Sequence, residues 1–336
     1  MAKPAKKITM RDIADMAGVS AMTVSTALSG KPGVSSEMRR RIREIADALN
    51  YTPNILATSF RNDRSNTIGV ILSSTFDTVF TLLFKGIETV AKQEGLGILV
   101  ATTEDDLDLE MEAIKMLAAK RVDGIILTSA LSFNPKQKKL LDKLGVPYVL
   151  TVRSYHDQSV TTVLNNNHAG AYSMVDYLAN TGSRKFLFLA MEKRRCSSLD
   201  RMRGWEDAMT AHGLSMSPKY IDYVAPVIES GYKAMRDRIR KGGNWDTVVC
   251  GNDTIAIGAM KALFEAGIDI PTQVRVGGYD GLPLTEHLRV PLTTIQQPLY
   301  EIGQTAMYLL KNKIEDPGVP GQQISINSKL VIRCST

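Results

Sequence analysis

The chain has 336 residues, 44% of them hydrophobic, enough for a sizeable core and long for one domain. No run of 18 apolar residues occurs, and the lysines near the start are not followed by an apolar stretch, so neither a membrane-spanning helix nor a secretory leader is expected and the cytoplasm is. The net charge is +6, and residues 1–66 hold 11 Lys and Arg against 6 Asp and Glu, which fits a polyanion-binding head on a near-neutral body.

In chain order, the first fifty residues read as three short helices. Thr9 caps the first, with Ile13, Met16 and Ala17 on its inner face. Gly18-Val19-Ser20 breaks the pattern: glycine permits the turn and Ser20 caps the next helix, about Ala21 to Leu28, with Val24, Ala27 and Leu28 inward. The third starts near Ser35 or Ser36 and sets Met38, Ile42, Ile45 and Leu49 at helical spacing, with Arg39, Arg40, Arg41 and Arg43 mostly off that face. Pro53 suits the first turn of a further short helix, Asn54 to Arg61, too poor in core residues to stand alone. Residues 62–66 read as a polar linker.

From Ile68 the pattern alternates. Buried strands are expected at 68–72, 96–101, 122–127 and 146–152, with helices near 77–94, 107–120 and 134–144 between them. The series repeats with strands at 160–164, 186–190, 247–250 and 274–279 and helices near 168–181, 199–212, 230–241 and 254–267. A helix at 299–314 and strands near 322–333 close the chain. The expected fold is an all-α helix-turn-helix head on an α/β domain of doubly wound parallel sheets, divided into two lobes with a cleft. The boundaries are 1–50 for the head, 51–66 for hinge helix and linker, and 67–336 for the two-lobed domain.

A short helix, a glycine-containing turn and a second helix make a layout that places the second helix in a DNA major groove. The exposed candidates are Ala21, Met22, Thr23, Ser25, Thr26 and Ser29, with Thr9, Ser20 and Ser35 beside them. Hydroxyls suit phosphates or base edges; Ala, Met and the threonine methyl suit thymine methyls. A plain three-helix cap is the alternative that spacing alone leaves open.

The residues carry a resemblance. Ile8 to Ser20, Thr23-Val24-Ser25, Ala27-Leu28, Val34-Ser35, Leu49-Asn50-Tyr51-Thr52-Pro53-Asn54 and Ile68-Gly69-Val70 resemble the lactose-repressor (LacI/GalR) family, and the likeness covers essentially the whole chain. That resemblance implies a homodimeric regulator of transcription on double-stranded operator DNA. In it the segment after Asn54 is a hinge helix that enters the minor groove, with Ala57 on it and Phe60 as the apolar wedge where leucine is usual. Thr26 stands where the family often has arginine, so bidentate guanine readout is absent there and phosphate contacts, methyl contacts and DNA deformability gain weight.

The body resembles the family's periplasmic-binding-protein-like effector domain at Arg201-Met202-Arg203-Gly204-Trp205, Gly251-Asn252-Asp253, Gly278-Tyr279-Asp280-Gly281 and Pro291 to Pro298. A sugar-like effector is implied in the cleft. Arg201 offers a rigid set of donors, Asp280 two acceptors, and Asn252 and Gln297 amides. Phe76 and Phe80 offer an apolar face, although Phe80 also falls at core spacing with Leu83, Phe84 and Ile87. Arg153 stands two residues after Thr151, where a polar ligand contact is common, as a substitute for it. Asp253 reads as the cap before Thr254, and Trp205 as core. Asn165-Asn166 and Pro226 depart from the sugar-binding pattern and leave the effector unnamed. No cofactor is expected: the sequence has no phosphate-cradling glycine loop, nucleophile elbow or metal spacing, its four histidines are scattered, and Cys196, Cys250 and Cys334 lie far apart. A transport binding protein would share the two lobes but lack the basic helical head.

Overall fold

The computed structural model describes residues 8–30, 32–49, 51, 64–74, 77–129, 131, 133–153, 155 and 157–336. The expected hinge helix, with Asn54, Ala57 and Phe60, lies outside them, and so does Phe76. Residues 1–65 and 66–336 form two compact units.

In the first unit, α1 (Met10–Ala17), α2 (Ala21–Leu28) and α3 (Ser36–Ala48) start where hydroxyl caps start them. The Thr9 side chain accepts from the Asp12 amide, and the Asp12 carboxylate accepts in return from the Thr9 amide at 2.8 Å, a reciprocal capping box. Gly18 ends α1 in the left-handed region at φ 69°, where a side chain would be strained. The Ser20 hydroxyl then accepts from the Thr23 amide at 3.1 Å, and that of Ser35 from the Met38 amide at 3.3 Å. The core is Ile13, Ala14, Ala17, Val24, Ala27, Ile42 and Ala46, with Leu28, Met38, Ile45, Leu49 and Tyr51 against it. Met16, expected inward, is 58% exposed. With 3.6 residues per turn, the stripe through Ile13, Ala14 and Ala17 leaves Met16 on its far flank.

The second unit holds two six-stranded sheets. The first lobe's strands are β1 (Thr67–Leu72), β2 (Gly97–Thr102), β3 (Gly124–Thr128), β4 (Tyr148–Thr151), β5 (Thr162–Asn165) and β11 (Gln323–Ile326), in the order β2-β1-β3-β4-β5-β11, all parallel. The second lobe's are β6 (Phe186–Met191), β7 (Ile221–Val224), β8 (Thr247–Cys250), β9 (Arg275–Asp280), β10 (Thr293–Gln296) and β12 (Lys329–Val331), in the order β7-β6-β8-β9-β10-β12, with only β12 antiparallel. The two edge-ward strands β7 and β10 are additions to the sequence reading. Ile-Asp-Tyr-Val and Thr-Thr-Ile-Gln have no apolar run, and pairing with a neighbour rather than hydrophobicity makes them strands.

The helices of the first lobe are α4 (Thr78–Gln93), α5 (Leu107–Ala119), α6 (Pro135–Leu144) and, late in the chain, α11 (Leu299–Glu315). The second lobe carries α7 (Asn167–Asn180), α8 (Cys196–Ala211), α9 (Ile228–Lys241) and α10 (Asp253–Glu265). The chain therefore crosses between lobes three times: after β5, after β10 and after β11. α11 returns to the first lobe and packs on α4 so closely that a Cβ on Gly86 would meet the Tyr300 carbonyl, and one on Gly303 that of Leu83. Leu83, Ile87, Ile302, Ala306 and Leu310 seal this contact. The first and third crossovers are tied side by side: the Asn165 amide donates to Ser328 Oγ and the Asn166 amide to Asn327 Oδ1.

Candidate functional site

Two surfaces carry the candidate residues. On the head, Ala21 and Met22 open α2 fully exposed, Met22 at 74%, while Val24 and Ala27 face the core. Two successive apolar side chains in water at a helix start have no structural use within the head and suit methyl contacts. Thr23, Ser25 and Thr26 are half-buried and Ser29 is exposed. The Thr26 hydroxyl donates back to the Met22 carbonyl at 2.9 Å. Ser20 and Thr23 share a hydroxyl contact at 2.9 Å in addition to the cap. Arg39 reaches from α3 to the Ala27 carbonyl at 3.1 Å and so fixes the last turn of α2.

The second surface lies between the lobes. Arg201, on α8, is 4% exposed and held on three sides. Its Nε donates to Asn167 Oδ1 at 2.9 Å, one terminal nitrogen to the Gly251 carbonyl, and the other to Asp280 Oδ1 at 3.3 Å. Its guanidinium carbon sits 3.6 Å from the ring centre of Tyr279, a stacked cation–π contact. Asp280, at the end of β9 with φ 120°, also accepts from Gln297 Nε2 at 2.6 Å. Burial pushes the Asp280 carboxyl up despite Arg201 beside it, and Asp77 across the cleft pushes it the same way.

Asn252, read from sequence as a ligand contact, is the true cap of α10: its Oδ1 accepts from the Ile255 amide at 2.9 Å. The same residue also lines the cavity between the lobes. Asp253, expected to be the cap, is instead fully buried one position in, where it accepts from the Leu282 amide at 2.8 Å and from the Thr294 hydroxyl at 2.6 Å. Burial first, and then the charge of Asp280, raises its carboxyl to about 8.

Phe80, Arg201, Asn252, Asp280 and Gln297 therefore meet at one small cavity of about 40 Å³. It adjoins a larger one of about 620 Å³, and Asp77, Phe80, Arg195 and Pro226 line both. Phe80 does both things the sequence allowed: it is 3% exposed within the α4–α11 core, and one face reaches the cleft. Arg153 does not join them. It is fully buried in the first lobe, with its Nη2 2.5 Å from Glu110 and its guanidinium 5.0 Å over Phe133, so it braces the lobe and has no face left for a ligand.

Asp77 and Arg195 were missed by sequence reasoning. Asp77 caps α4 by accepting from the Val79 amide at 2.9 Å, an ordinary role that hides its position at the mouth of the cleft. Burial raises its carboxyl. Arg195 comes from the second lobe and pairs with Asp105 of the first at 2.8 Å, beside a backbone bridge to Leu131. Its Nε is buried without a hydrogen-bond partner among the described residues. Nothing in the local sequence marks a contact across two lobes.

The comparisons with known proteins follow this geometry. Residues 9–54 match the family described as bacterial regulatory proteins, lacI family, and residues 65–334 match periplasmic binding proteins and sugar binding domain of LacI family. The chain belongs to the LacI family. As a LacI-family protein it is a DNA-binding transcriptional repressor with a sugar-binding domain and not an enzyme. It is 28% identical to the ribose operon repressor of Haemophilus influenzae, over 97% of each chain. It is 27% identical to the transcriptional repressor PurR of Vibrio vulnificus, again over 97% of each. Among solved structures, the Lac repressor dimer bound to operator and the anti-inducer ONPF superposes with a TM-score of 0.89 at 25% identity, covering 98% of this chain and 99% of that one. Among the described residues no helix is long and apolar enough to cross a membrane.

Proposed function

We propose that this LacI-family chain works in the cytoplasm as a homodimer on a palindromic operator, with a small sugar-like effector in the interlobe cleft setting its DNA affinity. The observation that carries the reading is the polar knot of Arg201, Asp280, Gln297 and Asn252, which faces a cavity between lobes joined by three crossovers. A ligand that engages both lobes biases their closure, and its differential affinity for the two closures is the coupling energy, on the order of 1–3 kcal/mol. Two-fold symmetry of a dimer requires two-fold symmetry of its site.

In the head, Thr9, Ser20, Ala21, Met22, Thr23, Ser25, Thr26, Ser29 and Ser35 are assigned to the DNA, together with Asn54, Ala57 and Phe60 of the segment that follows. In the cleft, Phe80, Arg201, Asn252, Asp280 and Gln297 are assigned to the effector, and Phe76 with them.

Selection of genomic fragments on the purified protein, followed by footprinting, tests this directly. The expected result is a protected palindrome and a sedimentation mass of two chains. Equal retention of all fragments, with and without a metabolite extract, would remove the proposal.

A further inference from the structure

The cleft's own ion pairs leave its charge unbalanced. It presents three arginines, and each already has a carboxylate: Arg194 with Glu192 at 3.1 Å, Arg195 with Asp105 at 2.8 Å, and Arg201 with Asp280 at 3.3 Å. Glu229, also on the lining, pairs with Lys233 at 3.3 Å. Two lining carboxylates remain, Asp77 and Glu104, and among the described residues no cation stands within ion-pairing distance of either. Asp77 is the more consequential, because it borders both cavities and is half-buried there. One of its oxygens accepts from the Val79 amide, and the residue lines both cavities. Arg195 lines both cavities too, and among the described residues its buried Nε has no hydrogen-bond partner.

We propose that the cleft selects a polyhydroxylated ligand that carries no negative charge, a neutral or amine-bearing sugar, and rejects sugar phosphates and sugar acids, with Asp77 as the residue that sets this preference. The inference rests on the reading of the cleft as the effector site. A hydroxyl group donates as well as accepts, so a polyol satisfies Asp77 by donating to it. An ammonium group satisfies Asp77 better still. Among the described residues a phosphate or carboxylate finds no unpaired guanidinium here. To gain one it must break a pair that already exists, and it brings its charge up to Asp77, half-buried in the cleft, and to Glu104, where like charges repel.

The test uses full-length protein and matched sets of probes. Each set holds a neutral sugar, its 2-amino form, its uronic acid and its 6-phosphate, in the gluco, galacto and manno series. Melting temperature screens the sets, because a ligand that binds only the native state raises it, and calorimetric titration then gives Kd within the responding set. The expected result is that the neutral or amino member binds at least tenfold more tightly than the acidic members. Asp77→Asn, which keeps the helix cap, then narrows that ratio at least fivefold, and Glu104→Gln, at an exposed position with little bearing on folding, narrows it less. An acidic member that binds as tightly as its neutral counterpart overturns the selectivity while leaving the effector site standing. A ratio unchanged in both variants overturns the role of Asp77. Silence from every set, neutral and acidic alike, removes the effector-site reading and this inference with it.

Discussion

At the scale of the residue, Arg201 is the position on which most depends. Its planar fork serves three acceptors and stacks on Tyr279, and an ammonium on a flexible stem serves one of those acceptors well. Arg201→Lys is expected to lose about 2–4 kcal/mol of stability, read from urea unfolding, because Asp280 and the Gly251 carbonyl stay buried with fewer donors. Asp253 makes the protein sensitive to pH. Its folded carboxyl lies near 8, far above the usual range, so the folded state holds a proton that the unfolded chain releases. That contribution to stability is complete below about pH 4 and is lost as pH rises through about 8. The urea midpoint should therefore be lower at about pH 8.5 than at about pH 6, and in Asp253→Asn the difference should shrink to the part that Asp280 supplies. An unchanged difference would place the proton elsewhere. Residues of this kind were legible to different degrees. Arg201, Asp280 and Gln297 stand in motifs that the family resemblance marks. Arg153 has the same chemistry, but its use was decided by Glu110, 43 positions away, which no local pattern reveals. Asp77 and Arg195 act only because two lobes bring them together.

At the scale of the element, the head is written plainly in its sequence, since caps, the Gly18 turn and the apolar stripe all agree. One cap carries two candidate duties. Ser20 accepts from the Thr23 amide and is also among the residues proposed to touch DNA. Ser20→Ala should cost the head about 1 kcal/mol. Ser20→Asn keeps an accepting oxygen at the cap, so it should recover the head's melting temperature. Operator affinity distinguishes the duties: if it returns with stability the hydroxyl only caps, and if it stays low the hydroxyl also contacts the nucleic acid. The strands were less evenly readable. Those with apolar runs, such as Phe186–Met191, declare themselves, whereas Thr293–Gln296 becomes a buried strand only because β9 and β12 flank it.

At the scale of the whole molecule, the alternation of strands and helices made two α/β lobes legible, and the length made one sheet untenable. Sequence also supplies Phe60 as the proposed wedge in the minor groove. Phe60→Ala should weaken binding to the palindrome at least tenfold while changing affinity for random DNA little, as measured by fluorescence anisotropy at one fixed salt concentration. Equal losses on both would assign Phe60 a packing role.

The late return of α11 and β11 to the first lobe has a consequence for how the protein is made. That lobe begins near residue 66, yet its sheet closes only when β11, ending at Ile326, arrives, so all of the second lobe's strands but β12 are translated while the first still waits. At roughly 5–20 residues per second, the interval from β5 to β11 lasts on the order of 10–30 s on the ribosome. Until α11 emerges late in that interval, the groove on α4 that it will fill stays open, and a nascent chain stalled there offers chaperones an apolar surface that the finished repressor never shows.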